Sequence, residues 1–302
     1  MDGIINVHKE KGFTSHDVVA KLRGILHQKK IGHTGTLDPD ATGVLPVCVG
    51  RATKVCELLT DKSKTYTAVV RLGVVTDTQD MTGNILEERE VSCSLEEIKE
   101  AVSAFTGEIW QTPPMYSALK VNGKRLYELA RQGIEVERKK RKIMIYSSSI
   151  TDYRPEKNEF TLKVCCSKGT YIRTLCHDIG ERLSCGAAMA SLVRTGVDDF
   201  RLEDSFTLAQ IEDIYNEGRC DEILIPVDAI FRKYPEVIIC DDGIRYLKNG
   251  NMVSAGLCRV PQGLKGGEMV RMYDRAHRFY AIYKYNDTTQ SFTNYKMFFN
   301  YD

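Results

Sequence analysis

The sequence predicts an α+β protein: a mixed sheet with flanking helices over most of the chain, then a small β-rich unit at its end. Strands and helices follow one another without repeated βαβ units. Apolar residues recur at helical spacing in several stretches. Beyond Ile230 the pattern changes to short strands separated by turn-like segments.

Taken in order, GIINV (3–7) reads as a short buried strand. Thr14 or Ser15 caps a helix over about 15–27, with Val18, Leu22 and Ile25 on one face. GVLPVCVG reads as a buried strand and RATKVCELL as a helix. KTYTAVVRLG (64–73) alternates, Tyr66, Ala68 and Val70 against Thr65, Thr67 and Val69, and so predicts a strand. Ser94 with Glu97 forms a capping box for a helix over about 95–105, with Ile98, Val102 and Phe105 on one face. KIMIYSSSITDY and EFTLKVCCS pair as strands, Phe160, Leu162, Val164 and Cys166 facing one way. In TYIRTLCHDIGERL, Ile172, Leu175, Ile179 and Leu183 stand at helical spacing. The tail offers a short helix, DDGIRYLKNG, closed by Gly250, and strands EMVRMY, RFYAIYKY and KMFFNY. The expected division is therefore 1–231 and 232–302.

The chain has 302 residues, 42% of them hydrophobic, enough to fill a real core. No run of about 18 apolar residues occurs, and MDGIINVHKEKG lacks the basic start and apolar centre of a signal peptide. A cytoplasmic location is expected. Ten cysteines include no C-x-x-C pair, so neither a zinc site nor a disulfide framework is expected, and most should pack as small hydrophobes. With no exposed apolar stripe evident, the expected state is a monomer. Net charge is only +1, yet the basic residues are grouped. Lys21, Arg23, Lys29 and Lys30 form one group, Lys120, Lys124, Arg125 and Arg131 a second, and Arg138 to Lys142 an unbroken run. Each could be a solvated surface; together they could make one face that neutralises phosphates.

The densest motif is GHTGTLDPDATG, Gly32 to Gly43. Pro39 limits Asp38 to extended backbone, while the glycines permit tight turns and close approach. Asp38 thus stands on a constrained loop with little bulk around it, although Asp-Pro is also an ordinary turn starter. No nucleophile-elbow serine or Walker lysine accompanies it. Any chemistry would rest on one carboxylate, with no metal and no cofactor. GTYIRTL offers partners: in an extended segment Tyr171 and Arg173 point the same way. An arginine beside Asp38 would lower its pKa and keep it ionised. The alternative is that the two residues simply begin an amphipathic helix, the arginine solvated.

Six ordered segments resemble the TruB family, the bacterial tRNA pseudouridine-55 synthases: GIINVHKEKGFTSHDVV, KKIGHTGTLDPDATGVLPVCVGRATK, KTYTAVVRLGVVTDTQD, QTPPMYSALKVNGKRLYELAR, CSKGTYIRTLCHDIGERLSCGA and LVRTGVDDF. They cover roughly residues 1–200. The resemblance implies the pseudouridine synthase fold, a mixed, mostly antiparallel sheet flanked by helices, with a PUA-like RNA-binding domain behind it. It implies isomerisation of a T-loop uridine, with tRNA and its T-arm stem-loop as partner and no cofactor. Asp38 matches the essential aspartate, acting as nucleophile on the sugar or the base, or as a base on the sugar. His33 matches the residue that fills the space left by the extruded nucleotide. Tyr66 matches the tyrosine packed on the flipped base, Tyr171 and Arg173 the residues contacting nucleotide and aspartate, and Leu192 an apolar pocket residue. Two positions depart from the family pattern: Lys9-Glu10 replaces Lys-Pro, and the run at 138–142 lacks an Arg-Pro. Two other readings compete. One is a tRNA-binding or tRNA-folding protein in which catalysis is dispensable. The other is a hydrolase using Asp38, disfavoured because no second carboxylate stands at a plausible site.

Overall fold

The computed structural model describes residues 1–121 and 123–298. Its strands are β1 (Gly3–Lys9), β2 (Ile31–His33), β3 (Thr42–Val49), β4 (Lys64–Leu72), β5 (Val74–Thr76), β6 (Ile85–Glu88), β7 (Gly107–Gln111), β8 (Lys120–Val121), β9 (Lys124–Arg125), β10 (Arg141–Arg154), β11 (Glu159–Cys166), β12 (Ala187–Val197), β13 (Phe200–Arg201), β14 (Glu236–Ile239), β15 (Val253–Ser254), β16 (Cys258–Arg259), β17 (Met269–Tyr273), β18 (Phe279–Asn286) and β19 (Ser291–Met297). Its helices are α1 (Ser15–Ile25), α2 (Cys56–Thr60), α3 (Leu95–Ser103), α4 (Leu126–Ala130), α5 (Ile172–Arg182), α6 (Leu208–Asn216) and α7 (Ile244–Lys248).

The main sheet runs β1-β3-β12-β4-β11-β10-β7, with β2 on β3 and β13 on β12. All its pairings are antiparallel except β12 against β3. This is the mixed, mostly antiparallel sheet that was expected. One face packs α3 and α5 over Ala68, Val70, Leu162 and Val164. Around β1 and β3 both faces are covered. Ile5, Val7 and Leu45 meet α1 and α6, while Ile4, Val44 and Cys48 meet Phe231, Ile282 and Phe298. Burial on both faces explains why GIINV and GVLPVCVG read as continuous apolar runs.

Local chemistry sets the helix starts. Thr14 and Asp17 cap α1 reciprocally, as Ser94 and Glu97 cap α3. The helix ends differ from expectation. α1 stops at Ile25 because His27 turns left-handed at φ 48°. α3 stops at Ser103, and Phe105 packs on the core from beyond it. RATKVCELL divides into a 3-10 turn over Gly50–Val55 and α2. DDGIRYLKNG likewise begins as a 3-10 turn over Asp241–Gly243 before α7, and Gly250 at φ 68° ends it.

A second, six-stranded sheet runs β15-β19-β18-β17-β14-β16 and forms the barrel-like C-terminal unit. Its core gathers Val237, Val270, Met272, Tyr280, Tyr283 and Phe292. The last strand lies mostly before KMFFNY, at Ser291–Met297, and residues 299–301 of that stretch fall outside the described residues. All ten cysteines are free thiols; Cys48, Cys166, Cys176 and Cys185 are buried and the rest partly so. Among the described residues no helix is long and apolar enough to cross a membrane.

Candidate active site

Asp38 lies on the loop joining β2 to β3, its side chain partly open to solvent. The loop is held from several directions. Leu37 N donates to Ser15 Oγ at 2.9 Å, and Gly12 N to Pro39 O at 2.9 Å. Lys9 is fully buried, and its Nζ donates to Glu10 O at 3.1 Å, Pro39 O at 3.0 Å and Ala41 O at 2.5 Å. A Cβ on Gly43, at φ 107°, would collide with the Arg194 carbonyl, so the strand after the loop needs glycine there. The lysine beside the departing Glu10 thus buttresses the very backbone that carries Asp38.

Arg173 occupies the first turn of α5 and is aimed at Asp38. Its Nε stands 3.1 Å from Asp38 Oδ2, and Nη2 donates to Asp38 Oδ1 at 3.4 Å. Nη2 also donates to Tyr116 O at 2.9 Å, and Nη1 to Thr78 O at 3.3 Å and Asp80 Oδ2 at 3.4 Å. A cation at a helix N-terminus opposes the helix dipole; two carboxylates and two carbonyls offset that cost. The 77–84 turn delivers Asp80. Gln79 takes a left-handed φ of 63°, held by Thr174 Oγ1 donating to its Oε1 at 2.7 Å and by Met189 N donating to its carbonyl at 3.0 Å.

Tyr171 is the extended residue just before α5, so it and Arg173 are not two positions of one strand as expected; the helix has already begun at Ile172. Arg173 meets Asp38 directly, and the Asp38 charge acts on Tyr171 as well. Gln111 fixes Tyr171 by accepting from its N–H at 2.8 Å and donating to its carbonyl at 3.0 Å. Tyr66 on β4 is buried beside Leu37 and Ala41, within reach of the Asp38 charge. Leu192, opposite Ala68 on β12, is buried with Leu37, Ala41 and Tyr66. His33 sits at the far end of the loop, edge-on to His16 with ring centroids 5.2 Å apart. Its Nδ1 accepts from Gly35 N at 3.3 Å. The structure therefore gathers Asp38, Tyr66, Tyr171, Arg173 and Leu192, with His33 at the edge of the group.

The electrostatics correct one expectation. Burial pushes the Asp38 carboxyl above its ordinary value, against the pull of Arg173, and the nearby Asp80 reinforces the rise. Arg173 alone would have lowered it, but it is shared with Asp80, and protein walls the carboxylate in although 42% of its side chain meets solvent. Burial likewise raises the Tyr66 and Tyr171 phenols, lowers His33 and brings Lys9 down to about 8.

A family model described as TruB family pseudouridylate synthase (N terminal domain) matches residues 23–172, and one described as tRNA pseudouridylate synthase B C-terminal domain matches 173–232. A tRNA pseudouridine synthase B of Lachnoclostridium phytofermentans is 50% identical over 307 residues, spanning 99% of this chain and all of the relative. The chain belongs to the TruB family of pseudouridylate synthases. The corresponding protein of Bacillus pumilus is 49% identical over 83% of this chain and 82% of its own length. Among solved structures, a chain of a Cbf5-Nop10-Gar1 complex aligns with a TM-score of 0.72 at 28% identity, over 98% of this chain and 85% of that one. A chain of an H/ACA RNP bound to a substrate RNA containing 2'-deoxyuridine aligns with a TM-score of 0.73 at 25% identity, over 99% and 86%.

Asp80 and Gln111 were not singled out from sequence, and Lys9 entered only through the Lys9-Glu10 departure from the family pattern. Asp80 lies inside GVVTDTQD and Lys9 inside GIINVHKEKG, both segments that carry the TruB resemblance. Their place in those segments was the available signal; their contacts were not.

Proposed function

We propose that this TruB family member isomerises the T-loop uridine at position 55 of tRNA to pseudouridine, with Asp38 as the catalytic group. The observation carrying the reading is the Asp38–Arg173–Asp80 arrangement, a partly exposed carboxylate whose charge reaches two tyrosines. The target nucleotide swings out of its stack, at a cost of a few kcal/mol, and lies between Tyr66 and Tyr171. His33, its pKa lowered by burial and its ring edge-on to His16, fills the gap it leaves. The bond from sugar C1' to N1 breaks and a bond from C1' to C5 forms; C5 gives up a proton and N1 gains one, so composition is unchanged. Asp38 serves as nucleophile or as base in its ionised form, Arg173 holding it in place. Tyr66 packs on the base and shuttles a proton.

The basic segments give the RNA its seat. β8 and β9 carry Lys120, Lys124 and Arg125, and the Tyr116 carbonyl on the same excursion accepts from Arg173. Arg141 lies close enough for its charge to act on Tyr171. We read the chain as a catalytic domain over 1–231 and a PUA-like RNA-binding domain over 232–302.

Incubation with T-arm RNA and mapping of pseudouridine in the product tests the reading. The expected result is one modified loop uridine with the native protein and none with Asp38→Asn, while RNA affinity stays within about threefold, because phosphate contacts dominate it. Undiminished conversion by Asp38→Asn overturns the assignment of Asp38. Tight RNA binding without conversion by the native protein would favour an RNA-folding role instead.

A further inference from the structure

Among the described residues, Arg194 on β12 is the largest side chain to be almost wholly buried, at 1% exposure. A buried guanidinium is costly unless its donors are used. Its donors go to backbone: Nε to Val44 O at 2.7 Å and Nη2 to Gly35 O at 3.2 Å. Those two carbonyls bracket the loop that carries Asp38. The register of β12 also places Arg194 between the two halves of the site. It pairs with Gly43 of β3 on one side and with Tyr66 of β4 on the other. Across that pairing its guanidinium charge acts on the Tyr66 phenol, drawing its pKa down against the rise that burial causes. The other ionisable groups facing that hydroxyl are Cys166 on β11 and Asp38 itself. A guanidinium only donates, so in any contact with Arg194 the Tyr66 oxygen accepts and keeps its own proton to give elsewhere.

We propose that Arg194 is a positioning residue for Tyr66: it ties both ends of the Asp38 loop to β12 and holds the phenol oxygen, fixing Tyr66 against Asp38 with its proton turned to the nucleotide. The proposal rests on the isomerase reading above. It distinguishes Arg194 from a structural cation, because loss of its charge and fork should be felt through Tyr66 and in turnover more than in RNA binding. Lysine keeps the charge but cannot span both carbonyls and the hydroxyl.

A double-mutant cycle tests it, with single-turnover conversion of T-arm RNA as readout. Arg194→Met should lower the rate about 100-fold with RNA affinity within about threefold, and Arg194→Lys should recover about tenfold of that loss. In a Tyr66→Phe background Arg194→Met should cost at most about tenfold, leaving a coupling of at least tenfold. Equal losses in both backgrounds overturn the proposal, as does a loss confined to RNA affinity. If Arg194→Met does not fold, Arg194→Lys carries the same cycle: about tenfold on the native protein, under about twofold on Tyr66→Phe. Equal factors there overturn it too. Native protein that leaves T-arm RNA unmodified overturns the isomerase reading, whereas active native protein with an additive cycle overturns only the role of Arg194.

Discussion

The two sheets bury polar groups very differently. Around the main sheet Lys9, Lys64, Arg173 and Arg194 are all buried, together with Asn6, Thr78 and Gln111. In the C-terminal sheet the buried polar residues described are Asp274 and Ser291. Asp274 is fully engaged there, accepting from Arg278 N at 2.9 Å, Arg278 Nε at 2.7 Å and the Tyr280 hydroxyl at 3.2 Å. The rest of that core is aromatic and aliphatic, with Tyr285 and Phe292 packed at 5.0 Å between ring centroids. One region spends stability to hold charge around a loop. The other is built as a stable platform. Removing a buried charge should therefore damage chemistry in the first region, and trimming the core should damage only stability in the second.

The largest effect is expected from Arg173→Met. It leaves Asp38 and Asp80 facing one another without their shared cation, and single-turnover isomerisation should fall about 1,000-fold, about 4 kcal/mol. Retention of more than a tenth of native activity would break the comparison. Phe292→Ala should cost about 3 kcal/mol of stability in urea unfolding, while the rate per folded molecule stays unchanged; a large loss of rate would mean that the platform shapes the site.

The pH profile sharpens the contrast further. With the Asp38 carboxyl raised by burial, the acid limb should lie above 3.8, the ordinary value, with the rate falling about tenfold per pH unit below it. Lys9 sets the alkaline limb near 8, since a neutral amine has two donors for three carbonyls. The sign for stability is opposite. The folded chain holds the Lys9 proton less tightly than the unfolded chain, so between about 8 and 10.5 this group adds stability as pH rises. Rates and urea midpoints at pH 7 and 9 should therefore diverge, and a parallel fall in both would exclude Lys9 as the cause. The smallest effect belongs to Arg275→Ala in the C-terminal unit. Its pair with Asp241, 2.7 Å apart, is 63% and 73% exposed, and stability should change by less than about 0.5 kcal/mol in the same assay.

Much of the site was legible because its residues sit in short motifs. Asp38 was marked by Pro39 and its glycines; alternation along KTYTAVVRL placed Tyr66 on the buried face of a strand, and only the TruB resemblance marked it as a site residue. The strand that joins them was not legible. β12, AAMASLVRTGV, is rich in small residues, and its pairing with β4 shifts register between Met189 and Ser191 and again between Arg194 and Gly196. A strand with two bulges does not alternate cleanly, so neither its central place nor Arg194 could be read from spacing. α6 is a different case: Thr207 and Gln210 form a capping box before Leu208 and Ile211, a local signal that was present and passed over.

By itself the sequence determined what is local: where helices α1 and α3 begin, which face of β4 is apolar, and that a loop braced by Pro39 carries Asp38. Tertiary structure alone decided what Asp38 touches and how its proton is held. Arg173 lies 135 residues from it along the chain, and Asp80 lies 93 from Arg173. Strand order and register bring such groups together, and the burial that follows sets the direction in which their charges shift, a property of the assembled surroundings and of no single neighbour in the chain.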